Sequence, residues 1–215
     1  MPQGIAGPSR WQARAVVRAR LPAAGKPAPW LPVRTLLIMC ALIPSFLRGA
    51  EDAYPRTPVG VCETKRLPAA RLMLATGQGN YFTSGNRLFG RLFRYIQSNN
   101  IPMTAPVEAR MEPAVMVFYC DPASAGREDL KASPEVVLQS VPERTVAAIG
   151  IRGSYTSESY AANLAKLREW LKTRADLRGT GEPYAVYWDS PFVPGFMKRS
   201  EVHIPVEPVP APAGR

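Results

Sequence analysis

Few side chains in this 215-residue chain combine a type and a spacing that supports chemistry. Arg87, Arg91 and Arg94 recur at intervals of four and three, while Leu88, Phe89, Leu92, Phe93 and Ile96 recur on the adjoining face of the same segment. Guanidinium groups grip carboxylates through paired hydrogen bonds, and an apolar stripe beside them accepts a hydrophobic body. The same pattern also describes an amphipathic helix with a solvated basic side. His203 is the one imidazole, so nitrogen ligation of a metal by a histidine, or proton transfer by one, falls to it. Alternation along Glu201–Pro205 sets His203 with Glu201, opposite the apolar pair Val202 and Ile204, and predicts that it points to solvent or to the outer surface of a sheet. Met73, Met103 and Met197 offer thioethers, although methionine is usually filler. One His and three Cys exclude clustered zinc sites, a C-x-x-C-H haem attachment and multi-histidine metal centres. No Ser-His-Asp or Cys-His pairing is evident, which leaves Glu201 with Tyr187 or Tyr160 as the acid/base set an enzyme would use.

The elements that position these residues follow from hydrophobic period. Segments 59–64, 70–75, 101–109, 115–120, 135–140, 145–152, 185–188 and 201–206 have strand length and β-branched or aromatic content. Segments 86–99 and 157–173 have helical period, the second with Thr156 as N-cap before Glu158. The two halves resemble each other: Gly79-Asn80-Tyr81 precedes the first helix as Gly153-Ser154-Tyr155 precedes the second, and Arg91–Ile96 matches Lys166–Leu171. A duplicated β-α-β-β unit is the economical inference. Two such units meeting edge to edge predict an α+β fold, a distorted antiparallel β-barrel flanked by two α-helices, with a ligand between helix and sheet. Pro191, Pro194 and Gly195 are expected to fix a loop beside that pocket, and Trp188, Phe192 and Phe196 to cover it.

Charge divides unevenly. The net +10 comes from 27 basic and 17 acidic residues, but seven Lys/Arg and no Asp/Glu lie in the first fifty, leaving 20 against 17, or +3, for the rest. That balance has no basic-aromatic footprint, so nucleic acid is not an expected partner. The stretch 35–47 carries no charge, follows a basic region and ends before Arg48-Gly49-Ala50. It is shorter than the roughly 20 residues that span a bilayer core. Residues 1–50 thus read as a signal or targeting segment cleaved after Ala50, which implies a periplasmic or secreted protein without a stable membrane span. Arg48, where a small residue is preferred, and the long leader keep an uncleaved membrane anchor or an organellar destination open. Cys62 and Cys120 would then form one disulfide or stay two separate thiols. Segment 51–58 reads as a linker and 207–215 as a disordered proline-rich tail, enclosing a domain over 59–206.

Three motifs carry a family resemblance. Tyr95-Ile96 with Asn99-Asn100-Ile101-Pro102-Met103-Thr104-Ala105-Pro106-Val107 resembles the "YI…N…MTAPV" signature of the SOUL haem-binding family. Tyr187–Val202, containing Ser190-Pro191, Lys198-Arg199 and Glu201-Val202, resembles its proline-rich C-terminal ending, and Gly153-Ser154-Tyr155 fits its glycine-tyrosine turn. The resemblance implies a pseudo-twofold barrel of β-α-β-β repeats and a non-catalytic binder of haem or another tetrapyrrole, or of a similar small hydrophobic anion. It also links the chain to a wider superfamily of effector-binding domains that bind, and in some cases hydrolyse, other small molecules. Carried over residue by residue, it puts Arg91 and Arg94 at the propionates, Leu88, Leu92, Phe93 and Met103 against the ring, and Lys198 and Arg199 nearby. His203 stands where the family has tryptophan and is the only imidazole available as an axial ligand.

Overall fold

The computed structural model describes residues 51–210. Its strands are β1 (Glu51–Asp52), β2 (Cys62–Leu67), β3 (Ala70–Thr76), β4 (Thr104–Ala105), β5 (Val107–Arg110), β6 (Val115–Tyr119), β7 (Val137–Val141), β8 (Arg144–Arg152), β9 (Leu177–Gly179), β10 (Tyr184–Tyr187) and β11 (Arg199–Pro208). The helices are α1 (Tyr81–Ser98), a single turn α2 (Pro122–Ala125) and α3 (Ser157–Lys172). Every neighbouring pair in the order β2-β8-β11-β10-β5-β6-β3-β7 is antiparallel, and the sheet curls into a half-barrel. The fold is α+β, as the pattern of elements predicts.

The duplication is visible in this order. Counting outward from the central β10–β5 pair, β11 answers β6, β8 answers β3 and β2 answers β7. Each unit therefore keeps three strands under its own helix. The fourth strand is exchanged: β2 precedes the first unit but pairs with β8 of the second, while β7 precedes the second and pairs with β3 of the first. That exchange binds the two halves through backbone hydrogen bonds.

Helix α1 begins five residues before its apolar period suggests. Asn80, in extended conformation, accepts from the Phe82 amide at 2.9 Å, and Gly79 at φ +70° turns the chain into the cap. Gly85 interrupts the apolar stripe and hides this first turn from a periodicity reading. Thr156 caps α3 as expected, accepting from the Ser159 amide at 3.1 Å. Pro106, without an N–H, separates β4 from β5 where one strand was expected. Strand β11 runs through Pro208 and pairs with β9, so the tail begins later than residue 207; residues 211–215 and the whole leader lie outside the described residues.

Alternation gives the sheet two buried faces. On the outer face, Leu88, Leu92 and Ile96 of α1 pack on Met73, Met116 and Phe118, and Leu167 of α3 packs on Ile149, Val202 and Ile204. Cys120 belongs to the first of these clusters and Cys62 to the edge of the second, and both are free thiols. The inner face buries Leu67, Leu72, Leu74, Val117, Val146 and Val186 with Tyr119, Tyr184 and Trp188. Segment 51–58 is not a linker. Tyr54 and Thr57 are buried within the curl, and the backbone of Thr57 and Pro58 crosses Gly150 so closely that any Cβ there would strike their carbonyl oxygens.

This inner face overturns the expected orientation of His203. His203 is 0 % exposed and Glu201 1 %, because β11 is covered by α3 on one side and by segment 51–58 on the other. The Glu201 carboxylate accepts from the Thr57 amide (2.7 Å) and hydroxyl (3.0 Å), Lys65 Nζ (2.8 Å), Trp188 Nε1 (2.8 Å) and His203 Nε2 (2.6 Å). An ionised carboxylate has no proton to give, so Nε2 carries the imidazole hydrogen and Nδ1 accepts from the Tyr184 hydroxyl at 3.2 Å. A second carboxylate, Glu108, is gripped by Arg144 and the Tyr119 hydroxyl.

Burial opposes ionisation of Glu201, but the hydrogen bond from His203 and the Lys65 charge prevail and lower its pKa to about 2 from 4.5. Burial lowers the pKa of His203 below its ordinary 6.5 against the pull of Glu201. Both depressions have the same sign: the unfolded chain takes up the proton first, so acid destabilises the fold. Stability is expected to be flat between pH 6.5 and about 8, to decline below pH 6.5 as unfolded His203 protonates, and to fall further from pH 4.5 towards 2 as the Glu201 contribution is lost. Urea unfolding across that range checks this, and Glu201→Gln should remove the lower part of the decline while costing about 3–5 kcal/mol at neutral pH.

Candidate functional site

A groove lies on the outer face, between the first turns of α1 and the β10–β11 loop, with a volume of about 540 Å³. That volume lies within the usual range for small-molecule sites. Tyr81, Phe82, Asn86 and Phe89 line it from α1, at spacings that keep them on one side of the helix. Val107 and Met116 form its floor on β5 and β6, and Tyr187, Asp189, Pro191 and Lys198 close it from the end of β10 and the loop beyond. Gly85 lies close beside the Tyr81 ring: a Cβ there would sit 3.2 Å from it, near enough that the ring would have to shift by a few tenths of an ångström.

The aromatic rings are mutually braced. Tyr155 stacks on Tyr187 with centroids 4.3 Å apart, and Tyr187 meets Tyr81 at 5.9 Å. Phe89 packs edge-on against Phe118 at 5.5 Å and stacks with Phe93 at 5.6 Å. Tyr155 ties the turn before α3 to the β10–β11 loop: its hydroxyl donates to the Arg199 carbonyl at 2.7 Å and accepts from the Asp189 amide at 3.0 Å. Lys198 Nζ lies 5.0 Å over the Tyr155 ring. Asp189 is already engaged, accepting from the Arg199 amide at 2.5 Å and facing Arg56 at 3.8 Å.

Electrostatically the groove is a neutral aromatic slot with an ammonium at its rim. Burial pushes the Tyr155 phenol up to about 12 and raises Tyr81 and Tyr187 as well. These hydroxyls stay protonated near neutrality and serve as hydrogen-bond groups. The chemistry available is shape, stacking and capture of an anion by Lys198. Among the described residues no group of three or more His, Cys, Asp and Glu is arranged to hold a metal ion, and no helix is long and apolar enough to cross a membrane.

Of the cofactor-binding residues expected from sequence, Lys198 alone lines this groove; Tyr187 and Pro191, expected in other roles, line it as well. Phe93 reaches it only through Phe89, and Arg199 touches Asp189 through its backbone. Leu88 and Leu92 point into the α1 core, with Met103 packed at its edge. Arg91 and Arg94 sit on the other side of α1. Both pair with Glu135 at 3.2 Å, and Arg91 also donates to the Thr76 carbonyl at 3.0 Å. Arg91 lines a smaller, separate opening with Arg87, Gly77 and Leu88. His203 lies across the sheet with both ring nitrogens hydrogen-bonded. The Glu201 carboxylate is hydrogen-bonded to Thr57, Lys65, Trp188 and His203 on the inner face, and neither Tyr187 nor Tyr160 is among its partners. Trp188 is turned inward against Tyr54 at 5.3 Å, while Phe192 and Phe196 are exposed; none of the three covers the groove. Tyr81, Phe82 and Tyr155, to which the sequence reading gave no part in the pocket, stand at or directly after the two glycine-tyrosine turns. Asn80 as an N-cap was the available signal.

The SOUL heme-binding protein family model matches residues 56–205. Among solved structures, the C-terminal domain of EcmrR aligns with a TM-score of 0.56 at 16 % identity, covering 69 % of this chain and 98 % of that one. An uncharacterized conserved protein from Listeria innocua aligns at 0.51 and 14 %, over 70 % and 94 %. A hydrolase from the same organism aligns at 0.50 and 13 %, over 74 % and 100 %. Such identities establish a shared fold and nothing about ligand. No curated protein matches the sequence.

Tyr155→Phe keeps the stacked ring but leaves the Asp189 amide without its partner and the Arg199 carbonyl with the Trp188 amide alone. The expected cost is about 1–3 kcal/mol, with faster hydrogen exchange at the Asp189 amide. Unchanged exchange there would show that the loop is held by something else.

Proposed function

This chain belongs to the SOUL heme-binding protein family, and we propose that it binds haem or another tetrapyrrole in the outer-face groove without chemistry of its own. The observation that carries this reading is the groove's make-up: a slot of about 540 Å³ with walls of Tyr81, Phe82, Phe89 and Tyr187 and the Lys198 ammonium at its rim. A macrocycle requires an apolar aromatic bed, which stacking supplies, and its carboxylates require a cation. The residues present fit the ring and one propionate. They do not supply a histidine to the iron, since His203 is buried across the sheet, and the raised phenols of Tyr81, Tyr155 and Tyr187 resist becoming phenolate ligands. Haem is therefore held by ring burial and Lys198, with Arg91 and Arg94 left to Glu135.

Haemin titrated into the protein and followed by Soret absorbance should saturate at one per chain. Lys198→Ala is expected to weaken binding about tenfold, whereas Arg91→Ala/Arg94→Ala should stay within about twofold because those exposed pairs contribute little. Folded protein that fails to saturate would sink the haem reading and leave a different small molecule as the occupant.

We also propose that residues 1–50 direct export to the periplasm or the outside. Support comes from the basic stretch followed by the uncharged segment 35–47 and the small residues Gly49-Ala50. N-terminal sequencing of the protein from its native compartment is expected to begin at Glu51; a blocked or intact leader would favour the anchor.

A further inference from the structure

The loop Ser190–Lys198 exposes its apolar residues outward. Phe192 is 95 % exposed, Phe196 74 % and Met197 52 %, far more than burial-driven folding leaves to such side chains one beside another. The loop is nevertheless built. The Val193 amide donates to the Ser190 carbonyl at 3.1 Å and the Met197 amide to the Pro194 carbonyl at 2.9 Å, and Pro191 and Pro194 stiffen the backbone between them. Gly195 packs directly against Ser154 of the second glycine-tyrosine turn. The aromatic residues are thus held out on a rigid tip.

Charge within the tip segment itself has one sign. Lys198 and Arg199 follow it, and Arg152 stands opposite Arg199 in the β8–β11 register. Residues 190–200 contain no Asp or Glu, and the neighbouring Asp189 is taken by the Arg199 amide and Arg56. A narrow tip of aromatic and thioether groups with Lys198, Arg199 and Arg152 at its base suits an anionic lipid surface, where rings settle at headgroup depth and cations meet phosphates. A protein partner would need a broader, flatter patch of about 800 Å². We propose that Phe192, Phe196 and Met197 insert into the interface of an anionic bilayer, steered by Arg152, Lys198 and Arg199. Docking does not depend on the haem reading. Because Pro191 and Lys198 also line the groove, it would bring the groove mouth to the membrane, where a sparingly soluble apolar ligand resides.

The test uses the full chain with Phe192→Trp, mixed with phosphatidylcholine vesicles or with vesicles also containing phosphatidylserine, each with or without brominated acyl chains. The leader is common to every variant, so the reporter must be the added indole, read as the difference from the unsubstituted chain. Expected are a blue shift and bromine quenching of that indole on phosphatidylserine vesicles, weakened by salt. Arg152→Gln and Arg199→Gln should each lower the vesicle affinity read from this signal roughly fivefold, and Phe196→Ser about tenfold or more. An added indole that stays water-exposed and unquenched while the chain is vesicle-bound overturns the proposal. So does quenching equal on neutral and anionic vesicles, or tip substitutions that change only the oligomeric state. Haemin titration of the unsubstituted chain keeps the two readings apart: saturation without docking of the Phe192→Trp reporter means that the docking proposal fails, and docking without saturation means that the haem reading does.

Discussion

The carboxylate of Glu201 is the constraint on which the inner half of this structure depends. It is an anion near the start of β11, shut away from water, and a buried charge is tolerated only when its lone pairs are filled by donors. Here the donors arrive from four places in the chain: Thr57 before β2, Lys65 on β2, Trp188 after β10 and His203 on β11 itself. Satisfying one carboxylate therefore fixes the path of segment 51–58, the position of the edge strand β2 and the rotamer of Trp188. Gly150 completes the arrangement, because only a residue without a side chain lets the segment cross the sheet at that distance.

The outer face is organised by different physics. Its two helices are seated on apolar clusters, and the groove between α1 and the β10–β11 loop is bounded by rings that brace one another. Tyr155 links the turn before α3 to that loop through two hydrogen bonds while stacking on Tyr187, so the wall contributed by the second repeat is prepared before any ligand enters. The loop that closes the groove on one side shows its aromatic residues to solvent on the other. One short segment is thereby part of two surfaces. The two faces meet along β10 and β11, where successive residues alternate between them: Tyr187 lines the groove and Trp188 the inner network.

Elements with a strong local cause were legible in the sequence. Thr156 ahead of an apolar period marked α3, β-branched runs marked most strands, and the paired glycine-tyrosine turns with matching helices marked the duplication that the strand order displays. Lys198 was found because a sequence motif carried it. Arg91 and Arg94 show where that reasoning ends, since a basic helical side is recognisable but whether Glu135 or a ligand answers it depends on a loop forty residues away.

His203 marks the same boundary most sharply. Its residue type and its alternation with Val202 and Ile204 were set by sequence, because side chains on a strand must point to alternate faces. Which face meets water was not, because that depends on whether a distant segment covers the sheet, and the covering segment, proline-punctuated 51–58, has no periodicity to announce it. The sequence by itself determined the repeat, the elements and the family. Only the tertiary structure decided that both faces of β11 are dry, that an ion and its imidazole are sealed inside, and that the aromatic groove lies on the opposite side, since these follow from contacts between residues far apart in the chain.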